Sequence, residues 1–132
     1  MKCLVDSHVF LWTLMSPDKL SDHARAHLLS PENDILLSVV SFWEISLKRS
    51  LGKLHLEGIT PDDLPMAAQE AGFRLLEIKP QVAATFYKLP KLIHKDPFDR
   101  MLVWQSISDD CTLISKDASL SSYKEFGLKL LW

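Results

Sequence analysis

A short apolar run near the start of the chain, Cys3-Leu4-Val5, stops abruptly at an acidic residue, Asp6. An apolar run that does not alternate with polar residues is typical of a strand covered on both faces, as in a parallel sheet. In open α/β sheets, ligands bind beyond the carboxyl ends of the strands. The run therefore predicts a buried parallel strand that delivers the Asp6 carboxylate to a ligand-binding edge.

The rest of the chain alternates between strand-like and helix-like segments. Short apolar segments rich in branched residues predict four further strands, at 35–40, 73–78, 112–115 and 128–132. Capping residues and apolar periodicity predict helices at about 9–14, 21–30, 41–50, 60–72, 80–89 and 96–107. Strands that alternate with helices predict an α/β fold with three layers, α/β/α, around a central parallel sheet of about five strands.

Length and composition point to one domain that covers residues 1–132, because 132 residues at 47% apolar composition suffice for one compact core. The apolar start ends far short of the ~20 apolar residues of a membrane span, and we expect a cytoplasmic protein without a membrane segment. Cys3 and Cys111 form no C-x-x-C motif, so reduced thiols are expected, with a disulfide between them as the alternative.

Four acidic residues follow a predicted strand or lie in the first turn of a predicted helix, and each has an ordinary structural interpretation. Asp6 fits an Asx turn after its strand, and Asp117 fits a helix cap. Glu44 fits a capping box with Ser41, in which each side chain bonds the backbone of the other. Asp99 fits the first turn of a helix, where the helix dipole favours an anion.

Taken together, the four acids favour a shared site, since separate caps have no reason to lie beyond the same ends of neighbouring strands. Carboxylates in a dry crevice repel one another unless a cation neutralises them, which predicts a bound metal ion. Oxygen ligands suit Mg²⁺ or Mn²⁺. Such ions activate water and stabilise displacement at phosphorus, so the acids predict phosphodiester hydrolysis that needs no Ser or His nucleophile.

Four motifs in this order resemble those of PIN-domain ribonucleases of the VapC toxin type: Leu4–Trp12, Ser41–Ile45, His94–Arg100 and Leu113–Asp117. The resemblance spans nearly the whole chain, and the four motifs together are specific where one would be weak. The chain departs from the family pattern at Trp104, where a smaller residue is common, and at Ser115, where Thr is commoner. Neither departure removes a carboxylate.

The resemblance implies a function and a set of site residues. It implies an endoribonuclease that binds Mg²⁺ or Mn²⁺ and acts as the toxin of a type II toxin-antitoxin module. Its partners would be RNA, a cognate antitoxin and a second copy in a homodimer. The metal-binding and catalytic acids implied are Asp6, Glu44, Asp99 and Asp117.

A second group of residues is predicted to support these acids. Ser7 and Ser115 stand where the family usually has Ser or Thr, and their hydroxyl groups are candidates to orient metal-bound water or a phosphate. Asp96 lies three residues before Asp99, and its favoured role is the helix cap, with metal or water contact as the alternative.

Basic and aromatic residues supply further candidates. The net charge of −2 gives no overall attraction for nucleic acid, so local basic groups would have to hold RNA. Lys95, Arg100 and Lys116 lie near the proposed pocket in sequence, with ordinary solvated surface as the alternative. Trp12 and Trp43 are expected to pack in the core, and a dimer face or a partner groove is the alternative.

Two other functions are compatible with the same acids. A receiver-like signalling domain also places acids around Mg²⁺ at strand ends, but it expects an acidic pair after the first strand, where this chain has only Asp6. A catalytically inert RNA-binding module of the same fold is the other alternative, and the retained carboxylates argue against it.

Overall fold

Five parallel strands form a single sheet at the centre of the computed structural model, which describes residues 1–132. They are β1 (Lys2–Val5), β2 (Asp34–Ser38), β3 (Arg74–Leu76), β4 (Thr112–Ile114) and β5 (Lys129–Leu131). Their order across the sheet is β3-β2-β1-β4-β5, and every neighbouring pair is parallel. The predicted five-stranded parallel sheet is confirmed. The predicted strands after β1 are each one to three residues longer than the observed strands, because strand ends are the least certain part of a prediction.

Six α-helices alternate with these strands: α1 (Ser7–Met15), α2 (Asp22–Leu29), α3 (Val39–Ser50), α4 (Leu64–Glu70), α5 (Pro80–Thr85) and α6 (Pro97–Ser108). Short 3-10 segments lie at Pro17–Lys19, Pro61–Asp63, Phe86–Lys88 and Ala118–Phe126. The Ser21 hydroxyl caps α2 by accepting from Ala24 N, and the predicted cap of Asp96 is confirmed, since its carboxylate accepts from the first turn of α6. No helix has the length and apolar character needed to cross a membrane.

Both faces of the sheet are covered, which explains the absence of alternation in the strands. Cys3 and Val5 of β1 pack with the apolar residues of α1 on one face. Leu4, between them, packs with residues of α6 and of the Ala118–Phe126 segment on the other face. Because successive side chains of a strand point to opposite faces, the two clusters define the three layers of the predicted α/β/α fold.

The junction between β2 and α3 differs from the prediction. The strand ends at Ser38 rather than at Val40, and the helix begins at the next residue. Ser38 Oγ accepts from Val40 N at 3.1 Å and donates to the buried Gln105 Oε1 at 2.6 Å. This cap starts the helix although two β-branched residues follow. The predicted capping box of Ser41 and Glu44 is wrong, because both residues lie inside the helix.

The order of the strands creates a crevice at one end of the sheet. The chain runs from the central β1 outwards to β2 and β3 on one side, and then places β4 and β5 on the other side. The carboxyl ends of β1 and β4 therefore lie side by side where the direction of winding reverses, which is where open α/β sheets bind ligands. Asp6 follows β1 at this point, and Ser115 follows β4.

Candidate metal centre

Asp6 lies at the crevice and also caps α1. Its Oδ1 accepts from Val9 N at 2.8 Å, and its own backbone N donates to Ile114 O of β4 at 3.1 Å. The residue is only 8% exposed. Burial raises the pKa of Asp6, and the nearby Glu44 charge raises it further, whereas hydrogen bonds from Ser115 and Val9 lower it. Capping therefore fixes the position of Asp6 without removing it from the crevice.

Glu44 projects from the second turn of α3 and is only 3% exposed. Its Oε1 accepts from Ser7 Oγ at 2.7 Å, and its Oε2 pairs with Lys48 one helical turn later. The Ser7 hydroxyl thus holds a carboxylate, a role different from the water-orienting one predicted for it. Lys48 is not among the basic candidates named from the sequence, although its i,i+4 spacing from Glu44 is a recognisable signal.

The acidic residues of the site also affect the pKa of Lys48. Burial alone would lower the pKa of Lys48, but the hydrogen bond and charge of Glu44, together with Asp96 and Asp99, outweigh burial and raise it. The ammonium group of Lys48 therefore stays charged in a partly buried position. It neutralises part of the negative charge on the Glu44 side of the crevice.

Asp99 lies in the first turn of α6 and is half-buried. The preceding Asp96 caps this helix, because its Oδ1 accepts from Phe98 N at 2.8 Å and from Asp99 N at 3.1 Å. Burial raises the pKa of Asp99, the charges of Asp96 and Glu44 raise it further, and the bond with His94 lowers it. The favoured structural role of Asp96 is confirmed, and Asp99 points to the same crevice as Glu44.

Asp117 follows β4 and caps the Ala118–Phe126 segment. Its Oδ1 accepts from Ser119 N at 3.0 Å and from Ser119 Oγ at 2.6 Å, while its own N donates to Ser115 Oγ at 3.1 Å. His94 connects this acid to α6, since its Nε2 lies 3.0 Å from Asp99 Oδ2 and its Nδ1 lies 3.8 Å from Asp117 Oδ2. From the sequence, His94 was only the first residue of the motif His94–Arg100, with no role predicted among the acids.

Three of the four predicted acids, Asp6, Glu44 and Asp99, interact across one crevice, and the fourth, Asp117, is joined to Asp99 through His94. Glu44 is close enough for its charge to raise the pKa of both Asp6 and Asp99, and His94 joins Asp99 to Asp117. Buried carboxylates with raised pKa values form a donor set that a hard divalent cation would neutralise. Oxygen ligands of this type fit Mg²⁺ or Mn²⁺.

The three basic candidates differ in their surroundings. Lys95 and Lys116 are exposed, and Lys116 Nζ lies 5.8 Å from the ring centre of Trp12. The Arg100 guanidinium instead lies 4.9 Å from the ring centre of Phe86 and donates from Nη2 to Leu89 O at 3.3 Å. These contacts favour a packing role for Arg100 and leave the two lysines available to solvent.

Three of the tryptophans differ in how far they are buried. Trp12 is partly buried against the core and lies against Trp132, with ring centres 5.9 Å apart. Trp104, at the position that departs from the family pattern, donates from Nε1 to Val82 O at 3.0 Å and so ties α6 to α5. Trp43 is 64% exposed beside Phe98, so the core position expected for it is wrong.

The fold and the acidic crevice define the class of this protein: the PIN domain family matches residues 3–125, and the chain belongs to that family. It is similar to Ribonuclease VapC22 of Mycobacterium tuberculosis (strain ATCC 25618 / H37Rv), with 28% identity over 129 residues that cover 98% of this chain and 97% of the relative.

Two solved structures show the same fold. VapBC2 from Rickettsia felis, bound to a DNA fragment from its promoter, matches with a TM-score of 0.72 at 14% identity, over 100% of this chain and 99% of that one. A toxin-antitoxin complex from Klebsiella pneumoniae matches with a TM-score of 0.61 at 12% identity, over 98% and 96% of the two chains. The predicted family is confirmed. The receiver-like alternative is wrong, because receivers have the strand order 2-1-3-4-5.

Proposed function

We propose that this chain is a metal-dependent endoribonuclease that hydrolyses RNA phosphodiester bonds, with Mg²⁺ or Mn²⁺ held by Asp6, Glu44, Asp99 and Asp117. The observation that supports this proposal is that the Glu44 charge acts on both Asp6 and Asp99 near the point where the sheet reverses its winding. Burial and mutual charge raise the pKa of Asp6 and of Asp99 there. The similarity to a protein named as a ribonuclease supports the same conclusion.

The side chains of the crevice have different roles. A divalent ion bound by these carboxylates lowers the pKa of a bound water and neutralises charge that develops at phosphorus. Ser7 and Lys48 hold Glu44 in place, and Asp96 fixes the first turn of α6, from which Asp99 projects. Ser115 Oγ accepts from the backbone N of Asp117, and Ser115 also lowers the pKa of the Asp6 carboxyl group. The chain therefore supplies a rigid set of oxygen ligands rather than a nucleophile.

RNA is the proposed substrate, held by the exposed Lys95 and Lys116 beside the crevice. Lysine ammonium groups bind phosphate as point charges and carry no sequence information, so these residues would position the backbone rather than select a base. Replacing either lysine with Gln should weaken binding of all RNA sequences alike and reduce its dependence on salt concentration.

We further propose that the chain is the toxin of a type II toxin-antitoxin module, that it acts in the cytoplasm, and that it forms a homodimer. The similarity to the toxin-antitoxin complex from Klebsiella pneumoniae supports an antitoxin partner. An apolar cleft of about 190 Å³ beside Trp43, lined also by Phe98 and Met101, is surface suited to a protein partner. Size-exclusion chromatography with light scattering tests the homodimer, and a monomeric mass at micromolar concentration would contradict it.

Cleavage of a synthetic RNA by the purified chain tests the nuclease. We expect cleavage with Mg²⁺ or Mn²⁺ and none with EDTA, and we expect Asp6→Asn or Asp99→Asn to lower the rate by ~100-fold or more, beyond the usual effect of losing an outer-shell partner. The exposed Asp18→Asn variant is the matched control and should cleave normally. Full cleavage by both pocket variants would contradict the assignment.

The same experiment distinguishes the nuclease from a catalytically inert module. An inert RNA-binding module would bind RNA without cleaving it at millimolar Mg²⁺ or Mn²⁺, and calorimetry would detect no metal binding. Growth arrest on expression, lost in Asp6→Asn, would connect the nuclease to toxicity. Arrest that survives in this variant would argue against a nuclease toxin.

A further inference from the structure

His94 occupies a position that the four-carboxylate site does not explain. It lies in the loop before α6, and its side chain is only 15% exposed. Its imidazole ring stands between two of the pocket acids, with Nε2 3.0 Å from Asp99 Oδ2 and Nδ1 3.8 Å from Asp117 Oδ2. One ligand atom from each of these three residues lies within 4.8 Å of the others. Two carboxylates and a nitrogen base therefore converge on one small volume.

The ring is held from its other side by a hydroxyl group. Nδ1 of His94 lies 3.2 Å from Ser119 Oγ, and Ser119 Oγ in turn donates to Asp117 Oδ1 at 2.6 Å. Because the Ser119 hydroxyl donates its proton to Asp117, it accepts from Nδ1–H of His94, and Nε2 is the nitrogen that faces Asp99. Nε2–H donates to Asp99 Oδ2 in this arrangement, and a bound ion would take the place of that proton. Metal-binding histidines are held in this way, with the second ring nitrogen donating to an outer partner.

The spacing also suits an ion. Two ligands ~2.1 Å from an octahedral ion and at right angles to each other are ~3.0 Å apart, and this is the distance between His94 Nε2 and Asp99 Oδ2. Imidazole favours transition ions, whereas Mg²⁺ is bound mainly by oxygen ligands and keeps several waters. A nitrogen ligand in a carboxylate crevice therefore alters which ion is preferred.

We propose that His94 is a nitrogen ligand of a divalent-ion site formed with Asp99 and Asp117, and that it makes this site prefer Mn²⁺ to Mg²⁺. The site shares Asp99 with the Asp6 and Glu44 side of the crevice. The inference rests on the proposed metal-dependent nuclease and adds a ligand that the four carboxylates do not include. The competing role of His94 is a hydrogen-bonding link between two acids that makes no contact with the ion.

Electron spin-echo envelope modulation of Mn²⁺ bound to the full chain distinguishes these roles, because it detects ¹⁴N in the first coordination shell. We expect nitrogen modulation in the wild type and in His8→Asn, and its loss in His94→Asn. His8 is the matched control, since it is an exposed histidine close enough to Asp6 for its charge to lower the pKa of that residue. Circular dichroism checks that each variant is folded.

Calorimetric titration supplies the second measurement. We expect the Mn²⁺ affinity of His94→Asn to fall ~10–100-fold, as on loss of a ligand or its partner, with a smaller change for Mg²⁺. Two results would overturn the role of His94 and leave the nuclease proposal intact. One is Mn²⁺ binding to the wild type without nitrogen modulation. The other is nitrogen modulation that is lost in His8→Asn and kept in His94→Asn. Absence of any Mn²⁺ or Mg²⁺ binding would overturn both.

Discussion

Asp6 and Asp99 show how a single residue serves both folding and function. Asp6 accepts a backbone hydrogen bond that starts α1, and Asp99 lies in the dipole-favoured first turn of α6. Either feature alone would stabilise an anion, yet the pKa of each residue is raised, because burial disfavours the charged form. The crevice therefore holds its carboxylates at a cost in stability, which a bound cation would offset.

This cost predicts how stability depends on pH when EDTA removes metal ions. A carboxyl group whose folded-state pKa is raised contributes stability that is fully present below its unfolded pKa, ~3.9 for Asp, and that is lost as pH rises through the folded pKa. Asp6→Asn and Asp99→Asn should therefore raise the melting temperature at neutral pH and flatten its fall with rising pH. Asn also keeps the cap of α1. Thermal unfolding at a series of pH values measures both effects.

Asp110→Asn is the matched control for this experiment. Asp110 is exposed, and its hydrogen bond and charge interaction with Lys129 lower its pKa, which is the opposite direction. Its replacement should give no stabilisation at neutral pH. A lower melting temperature for both pocket variants at neutral pH would show that the two carboxylates are not destabilising in the folded chain.

Among the elements, the junction of β2 and α3 does most to place the site. Because the helix begins directly after Ser38, Glu44 lies in its second turn, where its carboxylate meets the Ser7 hydroxyl. A helix that began at Ser41 would have left Glu44 in the first turn, bonded to its own backbone. The start of the helix therefore decides whether Glu44 is a cap or a pocket acid.

Ser38→Ala tests this junction. The variant loses the cap at Val40 N, which costs about 1 kcal/mol, and leaves the buried Gln105 Oε1 without its donor, which costs about 1–3 kcal/mol. Urea unfolding should therefore show a loss of ~2–4 kcal/mol in the free energy of unfolding. Ser50→Ala, at the exposed end of the same helix, should cost below ~0.5 kcal/mol. Equal losses in the two variants would contradict the role of Ser38.

At the scale of the whole molecule, the helices that cover both faces of the sheet bury both cysteines. Cys3 in β1 and Cys111 just before β4 are 0% and 1% exposed, and both are free thiols. They belong to the clusters on opposite faces of the sheet, so the expected reduced state is confirmed and the alternative disulfide is wrong. Burial raises the pKa of both thiols, which lowers their thiolate fraction.

Thiol labelling is therefore expected to report global unfolding. In native buffer, both cysteines should react with a thiol reagent at least ~10³-fold more slowly than in the urea-unfolded chain, in line with ordinary folding equilibria. Kinetics measured on Cys3→Ala and Cys111→Ala separately assign each rate. Rapid labelling of one cysteine in native buffer would instead reveal local opening of its face of the sheet.

The sequence alone determined the fold class and the strands that end in acidic residues. Unalternating runs such as Leu4-Val5 record burial on both faces of a sheet, and polar residues after such runs must lie at one edge when the strands are parallel. These are local signals, carried by residues a few positions apart, and for that reason the places of Asp6 and Asp117 after β1 and β4 were predictable.

Only the tertiary structure decided how the acids are held. The hydroxyl of the capping residue Ser38 donates a hydrogen bond to Gln105, 67 residues away in the chain. The Ser7 hydroxyl donates to Glu44, 37 residues away. His94 meets Asp117 because the strand order places the end of β4 beside the start of α6. Apolar periodicity and capping patterns describe the surroundings of one segment at a time, whereas these contacts depend on the packing of segments far apart in the chain.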